Sequence, residues 1–326
     1  MKKNTLLKGL LALTLSSTLL VGCKDSNEMK KVAIVQYVEH TSLNTIKDAF
    51  DEQMEALGYK DGENVEYIFK NAQGDNNTAA SITQAFQAED PDVVMAIATP
   101  VAQSVASLAK DTPVVFAAVS DPIGAKLTTT LEKPDKNITG TSDEIQVELI
   151  LQRALEVNPN LKELGVIYNK GEANSVTNIN KAKAFAKEKG ITITEATITS
   201  VNEVQSAIDV LTSQCDAIFA PNDNMVASAM NVVGSACVKA KIPLYVGADS
   251  MVQDGGFLSC GINYEELGKE TANMVDQILK GEKVENIPVK VFKDNLSIYV
   301  NENVLNQLGI DLPSSIADDP ALSMMK

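Results

Sequence analysis

Histidine and arginine each occur once in these 326 residues, as His40 and Arg153, and tryptophan is absent. A single histidine excludes a multi-histidine metal site. A single arginine excludes an Arg-rich clamp on phosphate. Basic residues are scarce altogether: 28 Lys and Arg against 43 Asp and Glu leave a net charge of −15, which argues against a nucleic-acid partner. The four cysteines, at 23, 215, 237 and 260, form no C-x-x-C pair. That removes zinc ribbons, thioredoxin-like redox chemistry and cysteine-held iron–sulfur clusters. Cys215, Cys237 and Cys260 sit among apolar or small residues and read as buried thiols. A disulfide among them depends on their separation in space. No G-x-S-x-G elbow occurs, and any Ser-His-Asp triad would have to use His40, so catalysis is not expected. Neither a metal nor a cofactor is expected.

What the chain does have begins with an address. Lys2, Lys3 and Lys8 precede an apolar stretch from Leu10 to Val21, too short to span a bilayer. It ends in Leu20-Val21-Gly22-Cys23, which looks like a bacterial lipobox. Residues 1–22 are therefore expected to be a lipoprotein signal peptide and Cys23 the lipidated mature N-terminus. Several acyl chains on one residue anchor stably where a single chain does not. The polar run after Cys23 suits a tether over residues 23–30. The mature protein is expected outside the cytoplasm, held to the cell membrane.

Beyond the tether, apolar runs of strand length alternate with amphipathic helices. Val32–Val35 and Val93–Ala98 are continuous apolar runs, the mark of strands covered on both faces. Thr99-Pro100 gives an N-cap and an N1 proline. The rhythm restarts after a crossover near 119–141, where Thr141-x-x-Glu144 reads as a capping box. Alternating β and α elements predict an α/β chain of two Rossmann-like, doubly wound lobes joined by a three-segment hinge. The expected division is one lobe of 31–119 plus 249–282 and another of 120–248 plus 283–326. A hinge of this kind closes around a ligand.

In such sheets a ligand lies beyond the carboxyl ends of the strands. The loops there carry hydroxyls, amides and carboxylates and almost no cations, and several open helices whose free N–H groups attract anions. The set suits a zwitterion. Thr99, Ser120 and Ser175 are candidates for its carboxylate; Glu39, Asp121, Glu172 and Asp249 are candidates for its ammonium. His40, Asn174, Asn222 and Asn224 lie in the same loops. Plainer roles stand beside these: Thr99, Ser175 and Asp223 also read as N-caps, and Asp121-Pro122 as a turn. Tyr37, Phe116, Tyr168, Phe219 and Tyr245 fall near strand ends, where rings can stack on a planar ligand or pack the core.

Several motifs in order resemble one family. They are Ile97-Ala98-Thr99-Pro100-Val101-Ala102-Gln103, Val115 through Pro122, Asn137 through Asp143, Gly165 through Asn169 with Gly171 through Ser175, and Pro221-x-Asp223-Asn224-x-Val226-Ala227-Ser228-Ala229. The chain is similar, over nearly its whole mature length, to the ABC-transporter substrate-binding lipoproteins associated with tryptophan and tyrosine uptake. The resemblance implies a type I periplasmic-binding-protein fold, a ligand between the lobes, and delivery to an ABC permease and its ATPase. It implies an aromatic amino acid (Trp, Tyr or Phe) as ligand and a monomer as the working unit. Val38-Glu39-His40-x-x-Leu43-Asn44 matches the family's first ligand-facing loop, with Asn44 where aspartate is more usual. A branched-chain amino acid, a purine-like ring or a small peptide, and a sensory rather than a transport role, remain alternatives.

Overall fold

The computed structural model describes residues 29–293 and 296–326. The expected signal peptide over 1–22 and Cys23 lie outside the described residues. Of the expected tether only Met29 and Lys30 are described, and Lys30 already belongs to the first strand.

The first lobe runs β1 (Lys30–Gln36), α1 (Thr41–Ala56), β2 (Val65–Asn71), α2 (Asn76–Glu89), β3 (Val93–Ile97), α3 (Thr99–Val105), β4 (Val114–Ala117) and β5 (Ile138–Ser142). The second opens with α4 (Val147–Val157), β6 (Glu163–Asn169), α5 (Ala173–Lys189), β7 (Thr192–Ile198) and α6 (Val204–Thr212). It continues through β8 (Ala217–Ala220), α7 (Asn224–Ala227), α8 (Met230–Ala240), β9 (Leu244–Val246), α9 (Asp249–Gln253) and β10 (Leu258–Gly261). Then follow α10 (Tyr264–Leu279), β11 (Lys290–Val291), β12 (Ser297–Asn301), α11 (Glu302–Leu308), α12 (Ser314–Ala317) and β13 (Leu322–Met325).

These strands form two sheets. One has the order β11-β5-β4-β3-β1-β2, with every pair parallel. The other has the order β13-β12-β10-β9-β8-β6-β7, parallel except where β12 runs against β10. In both, the second strand lies outside the first and the third lies on its other side, the doubly wound 2-1-3-4-5 order. Right-handed crossovers that reverse direction after β2 place α1 on one face of the sheet and α2 and α3 on the other. Cover on both faces explains why Val32–Val35 and all of β3 are buried. α10 packs closely along α1, and Gly268 makes this possible: a Cβ there would collide with the Ile46 carbonyl oxygen.

The lobe boundaries differ from the expected ones in three places. β5 belongs to the first sheet, paired to β4 through Val114 and Ile138, so the first lobe extends past residue 119 to Ser142. Thr141 is accordingly a strand residue bonded to Thr271, not a helix cap, and α4 begins only at Val147. β10, placed with the first lobe by the sequence reading, lies between β9 and β12 of the second. β11, placed with the second lobe, completes the edge of the first. The reason is shared: a short buried strand joins whichever sheet offers open hydrogen-bonding partners, and apolar patterning does not name that sheet. The chain thus crosses between lobes at 143–146, at 262–263 and between Val291 and Ser297. Cys215, Cys237 and Cys260 are buried free thiols. Among the described residues no helix is long and apolar enough to cross a membrane.

Candidate functional site

The reversals of strand order fall between β1 and β3 in one sheet and between β6 and β8 in the other. The loops that leave these four strands face each other across the cleft, where an open α/β sheet leaves a crevice. Beyond two strands of the first lobe, residues with a side chain carry positive φ: Ala98 after β3 at +91° and Ala118 after β4 at +55°. Each costs about 1–3 kcal/mol, a strain typical of ligand clamps.

Between the lobes the cleft is shut down to a cavity of about 10 Å³, room for about one water molecule, so a larger guest enters only as the lobes part. The first lobe lines it with His40, Ser42 and Leu43 at the start of α1, Ala118 after β4, and Tyr264 at the start of α10. The second lobe adds Asn174, Asn222, Asn224, Ala227 and Met251. Asp143, first residue of a hinge crossing, completes the wall. Among the described residues no lysine or arginine takes part.

Four polar contacts tie the lobes together here. Asn222 Nδ2 donates to Ser120 Oγ at 2.8 Å and to Asp143 Oδ2 at 2.6 Å. His40 Nε2 meets Asn224 Oδ1 at 3.3 Å, and the hydroxyls of Ser42 and Ser250 are hydrogen-bonded. Asp143 also accepts from Tyr264 Oη at 2.7 Å and Ser120 Oγ at 3.0 Å. Burial nevertheless raises the Asp143 carboxyl above its ordinary range, because desolvation outweighs these donors.

Behind the wall, Glu172 accepts from the backbone N–H of Asn224 at 3.1 Å, from Asn224 Nδ2, and from the backbone N–H of Met225 at 3.3 Å. Asp223 accepts from the Asn169 backbone at 2.6 Å, Ser175 Oγ at 2.7 Å and the Val226 backbone at 2.9 Å. Burial raises both carboxyls, and the nearby Asp223 charge raises Glu172 further. Burial pushes the His40 imidazole down to about 4, so it is neutral at pH 7. Among the described residues, two buried atoms of the wall have no hydrogen-bond partner, His40 Nδ1 and Asn174 Oδ1; Thr99 Oγ1 and Asn178 Oδ1 share that condition. Orphaned buried polar atoms are rare and mark places where another partner is expected.

Of the twelve candidates from sequence, His40, Asn174, Asn222 and Asn224 reach the cavity wall. Ser120, Glu172 and Ser175 stand one bond behind it, and Thr99 is buried at the start of α3. The others are elsewhere. Tyr37 donates to the Gly74 carbonyl at 2.9 Å, and burial raises its phenol. Glu39 is exposed, because the loop after β1 turns it to solvent. Asp121 accepts from the Gly124 backbone at 2.8 Å and so holds a turn. Asp249 accepts from the Ser250 backbone at the start of α9, and burial lifts its carboxyl to about 6. Phe116, Phe219 and Tyr245 are core residues, and Tyr168 bonds Glu195 at 2.8 Å. None of the five stacking candidates lines the cavity; its aromatic ring is Tyr264. Ser42, Asp143, Met251 and Tyr264 were missed. Asp143 had a signal, since it directly follows a buried strand, but that strand was assigned to a crossover.

Comparison with known proteins agrees with this geometry. A family model described as ABC transporter substrate binding protein matches residues 31–323. A tyrosine-binding protein of Clostridioides difficile is 34% identical, over 98% of this chain and 95% of its own. A Streptococcus pneumoniae ABC domain solved in complex with L-Trp superposes with a TM-score of 0.85 at 36% identity, covering 91% of this chain and 100% of its own. A ligand-free, open substrate-binding protein of Clostridium difficile, described as having adhesive properties, is 39% identical at 91% and 99% coverage but reaches only 0.67. Identity and coverage being nearly equal, the chain as a whole superposes better on the L-Trp complex than on the ligand-free, open structure.

Proposed function

The chain belongs to the ABC transporter substrate-binding protein family, and from that premise we propose that it is a lipid-anchored receptor for an aromatic amino acid, tyrosine or tryptophan. The observation that carries the reading is the closed, cation-free cavity at two facing switch points, with unpaired acceptors among its wall residues. An α-ammonium supplies donors and a positive charge, and the Asp143 carboxylate is the group on the wall that gains most from both. With no cation available, the carboxylate goes to the N-terminus of α1. Ser42 and Leu43 border the cavity there, and the N–H groups of the first turn lie at the positive end of a 16-residue helix. Leu43, Met251, Ala118 and Ala227 give the apolar surface for a ring, with Tyr264 beside them.

Because residues from both lobes would touch the ligand, it binds the closed form better than the open one, and this difference drives closure. The closed form is what the permease and its ATPase receive. The relatives' ligands, tyrosine in one and L-Trp in another, support the same class. The test is calorimetric titration of the purified mature protein with tyrosine, tryptophan and phenylalanine, paired with thermal melts. Tyrosine or tryptophan should give saturable heat and a concentration-dependent rise in Tm. No heat and no stabilisation from any of the three would overturn the assignment, and mass spectrometry of co-purified small molecules would then identify the class that does bind.

A further inference from the structure

We propose that His40 reads a hydrogen-bond donor on the ligand through its Nδ1, and that Glu172, acting through Asn224, holds the imidazole in the tautomer that makes this possible. The inference rests on the receptor reading above and assigns a role within that site.

The chain of reasoning starts at Glu172. Its Oε2 accepts both the backbone N–H and the side-chain Nδ2 of Asn224. The amide nitrogen is thereby committed to the carboxyl, and Asn224 must turn its carbonyl Oδ1 the other way, towards His40 Nε2 at 3.3 Å. A carbonyl oxygen only accepts, so Nε2 carries the proton. A neutral imidazole has one N–H, which leaves Nδ1 as a pure acceptor. That Nδ1 is buried and without a partner in a residue that forms part of the cavity wall. Asn174 repeats the arrangement: its Nδ2 donates to the Asn222 carbonyl at 3.1 Å, and its Oδ1 is left buried and unpaired. The wall therefore asks for donors.

The bond from His40 to Asn224 crosses the cleft, so the tautomer is fixed only when the lobes close. Glu172 does not line the cavity and is a positioning residue; His40 is the one in contact. The donor that meets Nδ1 is an N–H of the ammonium, or the O–H of a phenol, or the N–H of an indole.

The chain's single histidine makes the test unambiguous. Tag-free protein labelled with ¹⁵N-histidine is saturated with tyrosine, tryptophan or phenylalanine, and the two ring nitrogens are followed by long-range ¹H–¹⁵N correlation. The expected spectrum of the complex shows a protonated Nε2 and a bare Nδ1, shifted upfield by an accepted hydrogen bond. A shift with all three ligands identifies the ammonium as the donor. A shift with tyrosine or tryptophan but not phenylalanine identifies the side chain, and phenylalanine should then bind at least tenfold more weakly. In Glu172→Ala both tautomers should be populated in the complex; if that variant does not fold, the wild-type spectrum decides alone. A protonated Nδ1 in the complex, or an Nδ1 unmoved by every ligand that calorimetry shows to bind, overturns the proposal. If no amino acid binds at all, the receptor reading has failed instead.

Discussion

Asn222 is the place to test whether closure carries the binding energy. Its side chain makes two bonds across the cleft, to Ser120 Oγ and to the buried carboxylate of Asp143. Both amide hydrogens are thereby used, and its Oδ1 accepts from Asn178 at 3.1 Å, within the same lobe. No side-chain N–H of Asn222 is left for a ligand, although the residue lies on the cavity wall. In Asn222→Ala the closed form loses one bond to a carboxylate, about 2 kcal/mol, and one to a hydroxyl, about 1 kcal/mol. When the lobes separate, water hydrates these groups in either protein, so the open form is nearly unaffected. The Asn178 bond is lost in both forms and cancels in the affinity, while lowering folding stability by about 1 kcal/mol. A closed state weakened by about 3 kcal/mol raises Kd about 100-fold. Titration calorimetry reads the affinity, and X-ray scattering of the ligand-free protein reads the opening. An Asn222→Ala protein of near-normal Tm whose Kd lies within about threefold of wild type would refute the idea that these cross-cleft bonds hold the closed form.

Three further outcomes follow from the same geometry. The touching hydroxyls of Ser42 and Ser250 predict that Ser42→Cys with Ser250→Cys oxidises to an inter-lobe disulfide in saturating ligand. Ligand should then be released only after reduction, as read by equilibrium dialysis before and after dithiothreitol; no crosslink under these conditions would place the two lobes differently. Affinity should fall with acid. The ring titrates at about 4 when closed against an ordinary 6.5 when the cleft is open, so the closed form binds fewer protons. Binding is strong above 6.5 and weakens as pH drops towards 4, by about 20-fold between pH 7 and pH 5 from this group. Asp143 on the wall and Glu172 behind Asn224 also titrate, so the measure is the difference between wild type and His40→Gln; identical pH profiles for the two would refute it. Finally, Cys23→Ala should move the full-length protein from the membrane fraction to the soluble one and abolish incorporation of labelled fatty acid.

Much of this protein was readable before folding was considered. Buried strands announce themselves as unbroken apolar runs, as in Val32–Val35, because a strand covered on both faces has no polar side. The rule that ligands lie beyond strand ends points to the loops from which His40, Asn174, Asn222 and Asn224 reach the cavity wall. Glu39, Asp121 and Asp249, in the same set of loops, do not line it, because a loop of several residues meets the cavity with only some of its side chains, and φ and ψ decide which. Asp143 and Tyr264 were hidden for another reason. Each stands at a crossing between lobes, and the crossings were misplaced when β5 and β10 were given to the wrong sheets.

Local chemistry therefore determined the kind of elements, their order, and the chain stretches from which a site could be built. Which sheet each short strand joins, and so where the hinge runs, depends on hydrogen bonds between residues far apart in sequence, such as Val114 with Ile138 and Leu258 with Val300. The same holds for the cavity. Its wall is assembled from two lobes and a hinge, and a buried carboxylate such as Asp143 acquires its character from donors 23, 79 and 121 residues away. Burial, and the desolvation that follows from it, is a property only the folded chain possesses.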